Sequence, residues 1–171
     1  MPKALVVIAQ DGYQDLELEG TRSGLQDAGF EVVLASKESG ACTGKLGGSE
    51  EATVAIREAD VSDYDRVAFV GGPGASALIS DADALHLAQE VVRADKPLGA
   101  ICIAPAILAK ARVLSGKKAT VWDSGGEQAA LLEQYGAEYT GEPVTVDGKI
   151  VTANGPDAAV EFGKAIGSRS W

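Results

Sequence analysis

A thiol that acts as a nucleophile or a redox centre needs a setting that stabilises its anion and lets a ligand reach it. Cys102 is the residue of this chain that comes nearest to such a setting. The run Pro97-Leu-Gly-Ala-Ile-Cys-Ile-Ala-Pro-Ala-Ile-Leu-Ala109 carries no charge. Its first half reads as a buried parallel strand and its second half as a buried helix, so Cys102 falls at the break between them. Pro105 suits the first turn of that helix, where a missing N–H costs little. A sulfur at the helix N-terminus would meet the dipole and free amides, which favour a thiolate. A small, inert, buried hydrophobe is the alternative reading of the same residue. The second cysteine, Cys42, lies in a glycine-rich stretch and is expected to be exposed. The one histidine, His86, falls in a helix expected over 81–94, as a surface or helix-packing residue. One histidine and two distant cysteines do not supply metal ligands at familiar spacings, so no metal is expected. Gly71-Gly-Pro-Gly74 lacks the G-x-G-x-x-G spacing, and no cofactor is expected.

The elements that must position Cys102 alternate between strand and helix. Ala4–Ala9 is an apolar, β-branched strand followed by a turn at Asp11-Gly12. Leu16, Leu18, Leu25 and Ala28 lie in a helix that ends at Gly29, and Phe30–Ala35 is the next strand. Ser39–Gly48 reads as a small hairpin or loop, and Thr53–Ile56 as a short strand. Arg66–Val70 is a strong strand stopped by Gly71-Gly-Pro-Gly74. The 81–94 helix should bury Leu85, Ala88, Val91 and Val92. Beyond the Cys102 region come a strand at Ala119–Val121, a helix near Glu127–Tyr135, a hairpin over Val144–Thr152 with Asp147-Gly148 at its tip, and a helix over Asp157–Ile166. This order implies one α/β domain over 1–171: a three-layer, flavodoxin-like sandwich, its sheet mostly parallel, with helices on both faces. Ligands sit at the carboxyl ends of such strands. Gln10–Glu17, Gly71–Ser76 and Cys102–Ala104 collect there.

Four segments, Asp11-Gly-Tyr-Gln-Asp-Leu-Glu17, Val70-Gly-Gly-Pro-Gly74, Ala100-Ile-Cys-Ile-Ala-Pro105 and Thr152-Ala-Asn-Gly-Pro-Asp157, occur in an order and spacing that resembles the DJ-1/PfpI superfamily over nearly the full length. The resemblance implies that Cys102 is a nucleophile-elbow cysteine and that Glu17 is the acid approaching its sulfur. A protonated Glu17 would donate to a thiolate, whereas an ionised one would repel it. Gly72 and Ile103 match positions whose backbone amides converge beside the sulfur. Asn154 and Pro156 match a loop close to the cysteine and to a dimer contact. The chain also departs from the pattern. Ile103 stands where many relatives place a histidine after the cysteine, and Ser76 stands where protease-like members supply a glutamate. Trp122 and Asp123 occupy the region where members closer to DJ-1 use a histidine. Asp123 is a substitute base if its loop folds over the pocket. Trp122 either lines the pocket or packs in the core, and core packing is favoured.

Three functions follow from that resemblance. The first is a redox-responsive, stress-protective protein in which Cys102 is oxidised to a sulfinate, with weak or atypical catalysis. The second is a glyoxalase- or deglycase-like enzyme of reactive carbonyls, and the third a cysteine peptidase, both of whose partner residues are absent. The expected partners are a small aldehyde or oxidant and a second copy of the chain, as a homodimer or higher homo-oligomer. Acidic residues outnumber basic ones by 25 to 15 in a chain of net charge −10, which disfavours nucleic acid and anionic membranes. The apolar run Ala4–Ala9 is too short for a signal peptide, so a cytoplasmic location is expected.

Overall fold

The computed structural model describes residues 1–168, which leaves the last three residues of the expected 1–171 domain outside. Twelve strands and five helices follow in order: β1 (Lys3–Val7), β2 (Asp11–Tyr13), α1 (Asp15–Asp27), β3 (Glu31–Ser36), β4 (Gly40–Gly44), β5 (Ser49–Ala52), β6 (Val54–Ala55), β7 (Arg66–Phe69), α2 (Ala82–Arg93), β8 (Leu98–Ile101), α3 (Pro105–Lys110), β9 (Lys118–Ala119), α4 (Glu127–Gln134), β10 (Glu138–Tyr139), β11 (Val144–Asp147), β12 (Ile150–Ala153) and α5 (Ala159–Ser168). Seven strands form the main sheet in the order β11-β12-β8-β7-β1-β3-β6. All its pairs are parallel except β11–β12, the hairpin at one edge.

Residues alternate between the two faces of each strand. Leu5, Val7, Val67, Phe69 and Leu98 join Leu87, Val91, Ile107, Leu108 and Leu132 in one core. Ala4, Val6, Ile8, Ala68 and Val70 join Leu18, Leu25, Phe162 and Ile166 in the other. Helices α2, α3 and α4 thus cover one face, and α1 and α5 the other. The last two cross backbone to backbone. A Cβ on Gly163 would stand 2.0 Å from Gly20 O, and one on Gly167 2.5 Å from Gly24 O. Among the described residues no helix is long and apolar enough to cross a membrane.

Several details differ from the sequence expectation. The buried stripe of α2 is Ala84, Leu87, Ala88 and Val91, while Val92 is exposed and Leu85 only partly buried. The stripe keeps Ala88 and Val91 and is shifted toward Ala84 and Leu87; Asp81 caps the helix, accepting from Ala84 N at 3.0 Å. Asp11-Gly12 is not a bare turn but the start of β2, which pairs with β4 in a small separate sheet. Cys42, expected to be exposed, is fully buried on β4, where its sulfur lies 3.6 Å from Gln10 Nε2 and 3.7 Å from Gly40 O.

Candidate active site

Strand β8 ends at Ile101, and Cys102 takes φ +67°, a left-handed conformation that costs energy for any residue with a Cβ. Neighbours hold it there. Cys102 N donates to Ala153 O at 2.9 Å, and its carbonyl accepts from Trp122 N at 2.8 Å. The chain then enters α3 with Pro105 at the first turn. The sharp break throws the sulfur out of the sheet at the carboxyl ends of the parallel strands.

Glu17 reaches the same point from the first turn of α1. Gln14 caps that helix, its Oε1 accepting from Leu16 N at 2.7 Å and Glu17 N at 3.3 Å. The Glu17 side chain is fully buried. Its Oε1 accepts from Gly71 N at 2.9 Å, whereas Oε2 is buried without a partner. The carboxyl also interacts with the Cys102 thiol. Glycine is required between them, because a Cβ on Gly71 would lie 2.5 Å from Cys102 Cβ and 2.8 Å from Glu17 Oε1. Gly72, at φ +109°, turns so tightly that a Cβ would lie 2.5 Å from Gln14 N and Gly12 O.

Electrostatics make one proton the common property of the pair. Burial lifts Glu17 from an ordinary 4.5 to about 7; the thiol contact, the Gly71 N–H and the Lys45 charge all pull the other way. Burial and then the adjacent Glu17 carboxylate push Cys102 up to about 12, although the Gly72 and Ile103 amides favour its anion. Between those two limits the two groups hold a single proton. The expectation that a helix N-terminus lowers the thiol is therefore corrected. Helix α3 is a six-residue segment, and desolvation outweighs the amides.

The sulfur faces a cleft of about 530 Å³. Of the expected residues, Cys102, Gly72, Ile103, Trp122 and Pro156 line it. Trp122 is 44% exposed, so core packing is the wrong reading for it. Asp123 is not in the cleft lining. Its Oδ1 accepts from Gln128 N and Ala129 N, each at 3.0 Å, and its Oδ2 from Gly126 N at 3.1 Å, so both oxygens are engaged at the start of α4. Asn154 likewise lies outside the lining, with its N–H on Pro143 O at 3.0 Å. His86 is an exposed residue of α2, 3.7 Å from Glu90, and lines a different groove. Pro73 and Ser76 of the expected glycine loop line it too, and Gln14, Lys45 and Gln128, which were not singled out as site residues, complete it. Gln14 lies inside a motif that pointed to the site, whereas a lysine in a glycine-rich loop carries no local signal.

Comparison with known proteins agrees with this architecture. The DJ-1/PfpI family model matches residues 2–169, and the chain belongs to that family. An uncharacterized protein of Methanocaldococcus jannaschii is 35% identical over 165 residues, covering 96% of this chain and 80% of that one. A deglycase of Thermococcus kodakarensis is 30% identical over 152 residues, covering 89% of this chain and 90% of its own. The crystal structure of a ThiJ/PfpI domain protein from Brachyspira murdochii superposes with a TM-score of 0.92 at 30% identity, covering 97% of this chain and 94% of that chain.

Proposed function

We propose that this DJ-1/PfpI protein is a cysteine-dependent enzyme of small reactive carbonyl compounds, of glyoxalase or deglycase type, in which Glu17 takes the part that an imidazole plays elsewhere. One observation carries the reading: a buried carboxyl with a pKa of about 7 touches the thiol at the floor of an open cleft. An acid–base group works best when its pKa lies near the working pH. The relative named a deglycase supports the carbonyl class.

The first step follows from the geometry. Cys102 Sγ adds to the aldehyde carbon, and the S–H proton passes to Glu17. The carbonyl π pair becomes an alkoxide, beside which lie the Gly72 and Ile103 amides. Glu17 returns the proton to that oxygen, which gives a neutral hemithioacetal. In a 2-oxoaldehyde, Glu17 then carries the C1 proton toward C2. This leaves a 2-hydroxy thioester on Cys102, whose C–S bond is broken by one water to give a 2-hydroxy acid and the free thiol. Formation of lactate from methylglyoxal, measured for the wild type and for Cys102→Ser, tests the reading. It stands if wild type turns over and the variant does not, and it falls if both are inert or both equally active.

A second reading rests on the orphaned Glu17 Oε2. Protonated, it would donate to an oxygen of a Cys102 sulfinate formed with two equivalents of peroxide and release of two waters. Intact mass after mild peroxide, with addition of two oxygens confined to Cys102, supports it. A homodimer belongs to the same proposal, because Leu16 and Val160 leave apolar side chains exposed at the starts of α1 and α5. Light scattering of the purified chain tests this, and a monomeric mass would remove it.

A further inference from the structure

Lys45 stands in the cleft on a turn shaped to hold it. Its N–H donates to Tyr13 O at 2.8 Å, and Gly44 N closes the turn on Gly48 O at 2.8 Å. The Asp15 carboxylate clasps the turn from inside, Oδ1 accepting from Leu46 N at 2.8 Å and Oδ2 from Gly48 N at 2.8 Å. A Cβ on Gly44 or Gly48 would stand 2.3 or 2.4 Å from Asp15 Oδ2, so the two glycines admit the carboxylate. Asp15 lies between Gln14 and Glu17. A single short segment thus sets the cleft wall, the acid at the sulfur and the turn that carries the lysine.

No other charged residue lines the cleft among the described residues, and none of their salt bridges involves Lys45. An unpaired, exposed cation in a chain of net charge −10 is a specific attractor for an anion. Its charge is felt at Glu17, behind the sulfur, which ties it to the reacting end of the cleft. Gln14, Ser76 and Gln128 add neutral polar residues to the lining of the same cleft.

We propose that Lys45 is a substrate anchor: its ammonium pairs with a carboxylate carried by a small 2-oxoaldehyde whose aldehyde carbon is presented to Cys102. The proposal deepens the carbonyl-enzyme reading and rests on it for the reaction, but the anion site itself does not depend on turnover. One cation matches one monoanion, whereas a phosphate dianion would bring surplus negative charge toward Glu17. For 4,5-dioxopentanoate the reaction consumes one water and gives 2-hydroxyglutarate. The aldehyde carbon is oxidised and the adjacent ketone carbon reduced, so no external oxidant is needed.

The site is probed first with two alkylating agents of nearly equal size, anionic iodoacetate and neutral iodoacetamide, followed at Cys102 by peptide mass mapping. Cys42 is buried and serves as the internal control. Lys45→Gln should lower the iodoacetate-to-iodoacetamide rate ratio about tenfold, and Lys45→Arg should keep it. Turnover of 4,5-dioxopentanoate against its methyl ester is the second measurement. The acid-over-ester ratio of kcat/KM should fall by a similar factor in Lys45→Gln. An unchanged alkylation ratio overturns the anchor, including the case where the variant merely loosens the turn and slows both reagents alike. A shifted alkylation ratio with no turnover of either compound keeps the anion site and overturns the carbonyl-enzyme reading instead.

Discussion

Replacing Glu17 by glutamine should change the form of the Cys102 titration as well as its position. In the wild type the pair loses its first proton near pH 7 and its second near pH 12. Between them the thiolate fraction is fixed by how the remaining proton divides between oxygen and sulfur, so alkylation should rise through pH 7, level off, and rise again toward pH 12. Glutamine removes the charge. For a carboxylate within hydrogen-bond reach of sulfur the Coulomb penalty is of order 4 kcal/mol at an effective dielectric of 20, about three tenfold steps at most. Burial of the thiol remains, so its pKa should drop from about 12 to a single ionisation at roughly 9–11. Turnover should move the opposite way and fall about 10²–10⁴-fold, because the amide accepts no proton. The assay is the pH dependence of iodoacetamide alkylation at Cys102, read by peptide mapping, with methylglyoxal turnover on the same preparations. A wild-type profile with one step, or a variant thiol that titrates no lower than the wild type, would refute the coupled-pair argument. A variant with full turnover would refute Glu17 as the proton carrier.

The same carboxyl makes stability depend on pH. Its folded pKa of about 7 lies above an ordinary 4.5, so its contribution is complete below pH 4.5 and is lost as pH rises through 7. Glu17→Gln should therefore raise stability by up to ~3 kcal/mol at pH 8 and by nothing at pH 4, measured by urea unfolding at both values. Asp123→Ala should cost about 1 kcal/mol through loss of the α4 cap, with turnover retained; a loss of activity at intact fold would return Asp123 to the chemistry. Gly163→Ala drives a methyl into the Gly20 carbonyl and should destabilise by about 1–3 kcal/mol, lowering Tm by several degrees in a thermal scan. Gly72→Ala, at a φ of +109° and against the Gln14 amide, should abolish turnover and slow alkylation more than it lowers Tm.

What could be read from the sequence was whatever local pattern encodes. The uncharged run around Cys102, with Pro105 three residues on, specified the strand, the break and the buried helix. Alternation of strand and helix specified the parallel sheet. Motif spacing led to Glu17, Gly72 and Ile103, each of which lies at the sulfur. Three errors share one cause, which is that the local pattern does not say which partner a group will find. Asp123 has the chemistry of a base, but the free amides of α4 claim its oxygens. Trp122 has the bulk of a core residue, yet its backbone is tied to the Cys102 carbonyl and the ring is left at the cleft. Cys42 sits among glycines, but β4 places its side chain in the core that α1 and α5 cover, away from water. Lys45 was invisible for the same reason: its place depends on an Asp15 contact more than thirty residues back in sequence.

A thiol near 12 is not thereby a poor nucleophile in this setting. At pH 7 the thiol facing an ionised Glu17 is a thiolate in roughly one part in 10⁵, a lower limit because the form with the shared proton on Glu17 adds to it, against a few per cent for a free cysteine near 8.5, a deficit of at most some three tenfold steps. The more basic sulfur recovers about one and a half of these through its greater intrinsic nucleophilicity. The remaining factor, on the order of 10² or less, is within what one positioned acid–base group supplies. Glu17 meets the requirement because its own pKa has been moved to about 7 by the same burial that raised the thiol. One desolvated pocket therefore sets both groups, and on the proposed reading the Glu17 carboxyl supplies the acid–base group for which histidines are missing after Cys102 and at Trp122 and Asp123.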